Sequence, residues 1–314
     1  MSDLTIAIPS KGRLKEQAEA YFADCGLKLR QTGGDRGYTA SLDGAPGVNV
    51  LLLSASEIAR GVLDGSFHLG VTGEDLLREY ADRFDDQAWL LKGLGFGHAR
   101  MVVAVPESWV DVDTIADLED VGHAFTARHG RRMRVATKYL NSCRRFFSER
   151  GLTQYRLVDS AGATEAAPAS GSAELIVDIT STGSTLTANN LKILSDGEML
   201  ASEAQLTASL NANWSHDTRK SLKRILDMIE ARQLAKVSSM IVSDQSFASI
   251  LSRFAPDGFL VDGNLVLPKA EAKSAAIRLS AEGYAPLSLH NPEFLFLDTN
   301  TIYTDFSTAL DRSA

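Results

Sequence analysis

Residues 177–186 read Val-Asp-Ile-Thr-Ser-Thr-Gly-Ser-Thr-Leu. An apolar run from Leu175 to Ile179 leads straight into small hydroxyl side chains around one glycine, and a helix-forming stretch follows. A strand–loop–helix step of this kind turns free backbone N–H groups toward an anion, and the helix dipole favours negative charge there. Gly183 lets the backbone approach closely. Thr182, Ser184 and Thr185 add hydroxyl donors. The set suits a dianionic phosphate monoester. Asp178, at the end of the strand, is placed to meet ribose hydroxyls or a magnesium ion. The loop lacks the lysine of a Walker A motif. An ordinary Ser/Thr-capped helix uses the same residue types, so local pattern leaves both readings open.

Other charged groups sit where chemistry could use them. Lys11 and Arg13 flank Gly12 immediately after an apolar strand and could meet substrate phosphates; a solvated surface charge is the plainer reading of each. Arg100 and Lys138 are weaker candidates of the same kind. Asp75 and Glu165 could orient ribose or magnesium-bound water, or simply cap helices. Arg128, Arg131, Arg132 and Arg134 cluster around His129-Gly130, as a phosphate-attracting patch or a solvated loop. The six histidines and two cysteines show no metal-ligand spacing. His68, inside an apolar run, reads as structural, and Cys25 and Cys143 as buried free thiols.

The elements that must position these groups alternate. Strand signals at Leu4–Pro9, Val48–Leu53, Phe67–Val71, Met101–Val105, Met133–Ala136, Tyr155–Val158 and Leu175–Ile179 are separated by helical stretches. That order predicts an α/β fold with largely parallel sheets. After Ser215 a long amphipathic helix carries Leu222, Ile225, Leu226 and Ile229 on one face. A strand (239–243), a helix (246–254), a strand pair around Asp262-Gly263, a helix (270–279) and a strand (294–297) then suggest a small βαββαβ domain.

At 314 residues the chain is long enough for two or three domains. Its net charge of −8 argues against a protein whose main task is gripping a nucleic-acid backbone. No apolar run approaches the roughly 20 residues of a membrane helix. The N-terminus carries no basic-then-apolar signal, so the cytoplasm is the expected location and no membrane partner is expected.

Five collinear stretches carry a family resemblance. They are Ile8-Pro9-Ser10-Lys11-Gly12-Arg13-Leu14; Gly70-Val71-Thr72-Gly73-Glu74-Asp75; Gly95-Phe96-Gly97-His98-Ala99-Arg100; Arg134-Val135-Ala136-Thr137-Lys138-Tyr139; and Gly162 to Pro168 with Asp178 to Leu186 and Asn189-Asn190-Leu191. Together they resemble the ATP phosphoribosyltransferases, over about residues 4 to 230. The resemblance implies a catalytic region of two lobes like type II periplasmic binding proteins, with the site in the cleft. It implies lobe I at 1–104 and 190–230, lobe II at 105–189, and a C-terminal ferredoxin- or ACT-like regulatory domain at 231–314. The implied substrates are ATP and phosphoribosyl pyrophosphate, with Mg2+ arriving on the pyrophosphate and no confident protein ligand for it. The expected phosphoribosyl pyrophosphate contacts are Glu165, Asp178, Ser181, Thr182, Gly183, Ser184 and Thr185. The expected ATP contacts are Lys11, Gly12, Arg13, Gly73, Asp75, Arg100, Thr137, Lys138 and Tyr139. Lys11, Arg13 and Asp178 are the expected catalytic residues.

Long-form members of that family assemble as hexamers inhibited by histidine, so histidine inhibition and a homo-oligomer, dimer or hexamer, are expected. Short-form members need a subunit resembling histidyl-tRNA synthetase, and that alternative stays open. So do a solute-binding module of the same fold and transfer to another base. Two positions depart from the family pattern. Glu174 stands where an Asp is usual, and Leu140 where a Pro is usual. The C-terminal region resembles the family's regulatory domain only weakly, and Thr299 to Ala314 has no assignment.

Overall fold

Leu4, Ile6 and Ile8 are fully buried, and so is Ala7 between them. A strand covered on both faces needs a continuous apolar run rather than an alternating one. This strand, β1 (Leu4–Pro9), lies at the centre of the first sheet of a computed structural model that describes residues 3–32, 38–160, 162–248, 250–251 and 257–313. After it come α1 (Gly12–Asp24), β2 (Leu29–Thr32), β3 (Thr39–Leu42), β4 (Val48–Leu53), α2 (Ala55–Asp64), β5 (Leu69–Gly73), α3 (Glu74–Tyr80) and β6 (Ala88–Gly93). The second lobe follows with β7 (Ala99–Pro106), α4 (Ile115–His129), β8 (Met133–Thr137), α5 (Leu140–Glu149), β9 (Tyr155–Asp159), α6 (Ala167–Ser170), β10 (Leu175–Thr180), α7 (Ser184–Ala188) and β11 (Leu191–Ser202). The chain then returns through β12 (Ala204–Ser209) and α8 (His216–Val237).

The first sheet has the order β2-β3-β4-β1-β5-β12-β6. Ala18 and Phe22 of α1 and Leu222, Ile225, Leu226 and Ile229 of α8 pack in one core with β1. Ile58 and Val62 of α2 and Leu77 of α3 share a second core with Ala7, on the opposite face. Ser54 and Glu57 form a reciprocal capping box that starts α2. The second sheet has the order β11-β7-β10-β8-β9.

The sheets correct the expected lobe boundaries. β7 pairs with β10, Val102 opposite Asp178, and β11 pairs with β7. Both strands therefore belong to the second lobe, although residues up to 104 and from 190 were assigned to the first. The crossings fall in the Leu94–His98 segment and at Glu203. An apolar run such as Met101–Val105 fits any buried strand, and only the long-range pairing selects its sheet.

The third unit contains β13 (Ser238–Ser243), β14 (Phe259–Val261), β15 (Asn264–Pro268), α9 (Lys269–Leu279) and β16 (Leu287–His290). Its sheet order β14-β15-β13-β16, antiparallel throughout, is the ferredoxin-like arrangement. Asp262 and Gly263 both have positive φ, which makes the tight hairpin between β14 and β15. The helix expected at 246–254 lies partly outside the described residues; Phe247 and Ile250 are buried in this unit's core. The final strand is Leu287–His290 and not 294–297, because Leu287 to His290 pair with β13 while Leu295 N donates to Ala231 O of α8 (2.9 Å).

The segment without an assignment forms α10 (Thr301–Ser313) and returns to the first lobe. Phe306 and Leu310 are buried in that lobe's core, with Phe306 edge-on to Trp214 at 5.1 Å. Arg219 of α8 pairs with Asp311 (3.0 Å). The expected 231–314 domain is thus strapped back by its last helix. We expect Phe306→Ala to destabilise the first lobe by about 3–5 kcal/mol, as a buried Phe truncation does, with α10 released first. Urea unfolding followed by Trp214 fluorescence checks this.

Candidate active site

The phosphate-type loop joins β10 to α7. Gly183 has φ +77°, in the left-handed region, and turns the chain between them. Its N–H donates to Thr180 Oγ1 (2.8 Å), and Ser184 N–H donates to Thr182 Oγ1 (3.3 Å). Thr182 and Ser184 hydroxyls meet at 2.9 Å, and Ser181 Oγ donates to His98 O (2.9 Å). Hydroxyls expected only as ligand donors therefore also shape the loop. α7 is five residues long, so its dipole contributes little; the hydroxyls and the left-handed turn carry the character of the site.

The loop rims a cavity of about 320 Å³ lined by Glu165, Asp178, Ser181, Thr182, Ser184 and Thr185 among others. Six of the seven residues expected to meet phosphoribosyl pyrophosphate thus line one space, and Gly183 makes the turn between two of them. Asp178 Oδ1 accepts from Ile179 N (2.9 Å). Burial pushes the Asp178 carboxyl above its ordinary range, and the nearby Glu165 charge adds to this. The Ile179 N–H, the Lys138 ammonium and the Thr164 hydroxyl pull the other way. Lys138, expected among the ATP contacts, therefore sits close to the phosphoribosyl side.

The other lobe presents Lys11, Gly12 and Arg13 at the start of α1. Gly12 has φ +71°, and all three residues are exposed. Neither Lys11 nor Arg13 makes an ion pair among the described residues. A β-carbon at Gly97 would meet Leu14 Cδ1 at 2.8 Å. The next residue, His98, accepts from Ser181 of the loop. The 97–98 crossing thus touches Leu14 in the first turn of α1 through Gly97 and the 180–185 loop through His98.

Asp75 is buried and crosses the lobes: Tyr139 Oη donates to Asp75 Oδ2 (3.2 Å), and Ser202 Oγ donates to Asp75 Oδ1 (3.3 Å). Burial raises both groups, so Tyr139 keeps its proton and acts as the donor. Gly73 precedes this turn as the N-cap position of α3. Thr137 is buried, and its hydroxyl accepts from Tyr139 N (2.9 Å), which makes it a shaper of the β8–α5 turn. Arg100 is aligned with Thr180 across the β7–β10 ladder, but its guanidinium is paired with Glu198 (3.0 Å).

The basic cluster resolves into separate tasks. Glu174 holds both Arg131 (3.0 Å) and Arg134 (2.8 Å) and also accepts from Arg134 N (2.6 Å). Those two arginines brace β8. The hydrogen bonds from both guanidiniums and the Arg134 amide outweigh burial and hold the Glu174 carboxyl down at about 2. A folded-state value below the unfolded one means the stabilisation is complete above about 4.3 and is lost as pH falls toward 2. Glu174→Gln should therefore lower stability at pH 7, by on the order of 2 kcal/mol, and much less at pH 2.5. Thermal melts at the two pH values check it.

His68 is structural as expected. Its Nδ1 accepts from Thr5 N (3.1 Å), its Nε2 reaches Asn213 O (3.2 Å), and burial lowers its pKa. Cys25 and Cys143 are both free and buried. Sequence reasoning missed Ser202, Glu203 and Glu79. Glu203 accepts from Gly95 N (3.0 Å) in the crossing segment. Each is an isolated polar residue in a segment with no motif of its own, so nothing local marked it.

Two α/β lobes, with a hydroxyl-rich left-handed loop on one and exposed basic residues on the other, define a two-lobed α/β protein with a candidate phosphate-ester site. The ATP phosphoribosyltransferase (HisG) family model matches residues 54–231, more than half of the chain. A relative from Caulobacter vibrioides named ATP phosphoribosyltransferase is 50% identical over 98% of both chains, and one of the same name from Bradyrhizobium sp. is 56% identical over 74% of this chain and 71% of its own. The chain belongs to the ATP phosphoribosyltransferase family. A solved ATP phosphoribosyl transferase (HisG:HisZ) complex from Thermotoga maritima contains a chain with the same fold, at TM-score 0.56 and 23% identity. The match covers 72% of this chain and 96% of that one. No helix among the described residues is long and apolar enough to cross a membrane.

Proposed function

We propose that this chain transfers the 5-phosphoribosyl group of phosphoribosyl pyrophosphate to N1 of ATP, releasing pyrophosphate, as the first step of histidine biosynthesis. The carrying observation is the 180–185 loop, set with Asp178 and Glu165 around one cavity in a chain of this family. The bond from the anomeric carbon to pyrophosphate breaks as the bond to adenine N1 forms. Positive charge develops on the sugar and negative charge on the leaving group, so alignment and charge stabilisation matter more than a protein nucleophile. The loop holds the 5-phosphate. Asp178 accepts from the ribose hydroxyls and keeps negative charge near the developing cation. Lys138, Lys11 and Arg13 meet phosphate oxygens at the cleft mouth.

Asp178 and Glu165 are two acids beside a phosphate site, and no group of three or more metal-ligating side chains occurs among the described residues. Such a sparse donor set fits Mg2+, which keeps waters and substrate oxygens around it. There Mg2+ would neutralise pyrophosphate charge, with Asp178 and Glu165 oriented toward its waters.

Purified protein mixed with ATP, phosphoribosyl pyrophosphate and Mg2+, with pyrophosphatase to pull the reaction, should form phosphoribosyl-ATP, followed by its ultraviolet absorbance. Thr182→Ala should lower the rate about tenfold, the scale of one charge-assisted hydrogen bond. No product from protein that binds neither substrate would sink the reading. A cytoplasmic setting, a homo-oligomer, and histidine inhibition through the β13–β16 unit are part of the same proposal. Adding histidine to the assay tests the last. The alternative of a catalytic subunit that needs a histidyl-tRNA-synthetase-like partner is favoured by one observation, that the Thermotoga chain of the same fold belongs to a HisG:HisZ complex. Gel filtration and activity of the chain alone separate the two.

A further inference from the structure

α5 begins without a cap of its own. Its N-cap residue, Tyr139, makes no side-chain capping bond, and the next residue is Leu140, where the family pattern has Pro. The first amides of a helix have no partner within it and need one elsewhere. Here the partner comes from the other lobe. Glu79, near the end of α3, is buried, and its carboxylate accepts from Asn141 N through Oε1 (3.0 Å) and from Ser142 N through Oε2 (2.9 Å). Asn141 Nδ2 donates in return to Glu79 O (2.9 Å).

The exchange is reciprocal. Arg145 of α5 donates to the backbone oxygen of Arg78, near the C-terminal end of α3, and pairs with Asp82 (2.6 Å). Each helix thus satisfies polar backbone at the end of the other, across the lobe boundary. Asp75, one turn before Glu79 on α3, takes the Tyr139 hydroxyl. Two carboxylates on one helix therefore grip the β8–α5 turn that carries Lys138 and Tyr139. Beside this contact lies a cavity of about 250 Å³ lined in part by Asp82, Arg145, Phe146 and Met199. Leu76 of α3 packs against the second lobe's core, so apolar contact and these hydrogen bonds fasten the joint together.

We propose that Glu79 is a positioning residue for the phosphoribosyl transfer: as the cross-lobe cap of α5 it holds the Lys138–Tyr139 turn against the first lobe, and it sets the pivot about which the lobes align. The proposal rests on the reaction given above. It separates binding from catalysis, because the 180–185 loop, Asp178 and Lys138 all belong to the second lobe and keep their places there without the pivot, whereas bond transfer needs both lobes aligned. A misplacement of about 1 Å can cost on the order of a hundredfold in rate.

The test uses the full chain as wild type, Glu79→Gln and Glu79→Ala, with Glu74→Gln, a partly buried carboxylate of α3 paired with Arg78 and not with α5, as a control. Hydrogen exchange at the Asn141 and Ser142 amides, calorimetric affinity for phosphoribosyl pyrophosphate, kcat and thermal midpoint are measured. Glu79→Ala should speed exchange at those two amides by at least tenfold and lower kcat by about ten- to a hundredfold. Affinity for phosphoribosyl pyrophosphate should stay within about threefold. Glu79→Gln keeps one acceptor and should recover part of both losses, while Glu74→Gln should change neither. Unchanged exchange at 141 and 142 in Glu79→Ala overturns the cap, whether or not the chain is active alone. Loss of phosphoribosyl pyrophosphate affinity in parallel with kcat overturns the positioning role, since Glu79 would then only support the fold. Substrate binding by wild type without turnover is a failure of the reaction reading and leaves the exchange result to decide the cap.

Discussion

Gly183→Val is expected to raise the dissociation constant for phosphoribosyl pyrophosphate at least about a hundredfold while the protein stays folded. A side chain at Gly183 would have room, since the nearest atom to an added β-carbon is Ile193 Cδ1 at 4.0 Å. The difficulty is the backbone. Gly183 sits at φ +77°, a region that disfavours L residues by roughly 1–2 kcal/mol and β-branched ones by more. The exposed loop has a cheaper way out than holding that strain, which is to flip to negative φ. The flip would turn Ser184 and Thr185 away from the cavity and break the Gly183 N–Thr180 Oγ1 bond that pins the turn. Loss of two or three hydrogen bonds to a phosphate, each about 1.5–3 kcal/mol, accounts for the expected factor. Calorimetric titration measures it. Affinity within threefold of wild type would mean that this loop does not hold the phosphate.

Asp178→Asn should lower kcat/KM about a hundredfold and at the same time make the protein more stable at pH 7. The two effects have one cause. The Asp178 carboxyl is held above its ordinary range mainly by burial. Its folded-state pKa exceeds the unfolded one, so the folded protein gives up the proton less readily than the unfolded chain. Stability associated with the protonated form is present below the unfolded value of about 3.9 and is lost as pH rises through the raised folded value. At pH 7 the ionised group opposes folding, and Asn removes that opposition while still accepting from Ile179 N. On the proposed reading the charge that would accept ribose hydroxyls and face the developing cation disappears with it, and hydrogen bonds to a charged acceptor are worth about 1.5–3 kcal/mol each. Wild-type activity should decline as pH falls through the raised Asp178 value, and the Asn variant should lack that decline. A variant that is both less active and less stable at pH 7 would place Asp178 among structural residues.

The two predictions draw on different levels of the molecule. The first depends on a dihedral angle that only glycine adopts without strain, at a position the local pattern had already singled out. The second depends on burial in the folded lobe and on the nearby Thr164 hydroxyl and Glu165 charge, which no property of residues 175–180 announces.

The local sequence marked the central apolar strands, the long α8 helix and the strand–loop–helix step at 175–186, but not β2, β3, β6, β11, β12 or α10. It also implied largely parallel sheets where most strand pairs are antiparallel. An apolar run ending in Thr-Ser-Thr-Gly-Ser-Thr carries its strand, its turn and its hydroxyls within ten residues, and the chemistry of that stretch is local. The four strands and the helix at 269–279 of the unit after Ser238 were legible for the same reason, although the last strand lies at Leu287–His290 and not at 294–297, and the helix expected at 246–254 lies partly outside the described residues. Three matters were left to the tertiary structure. One is the lobe to which β7 and β11 belong, because apolar strands carry no address and the pairing of Val102 with Asp178 is long-range. Another is the fate of Arg134 and Arg131, which look like a phosphate patch in sequence until Glu174, 40 residues from Arg134, neutralises them. The last is the joint between the lobes. Glu79 and Asn141 are 62 residues apart, and a buried carboxylate capping a helix in another lobe leaves no periodicity, spacing or composition for a reader of the chain to find. Hydrophobic pattern and turn chemistry act over a few residues, whereas partner choice among buried strands and charged groups is settled only when the chain has brought distant segments together.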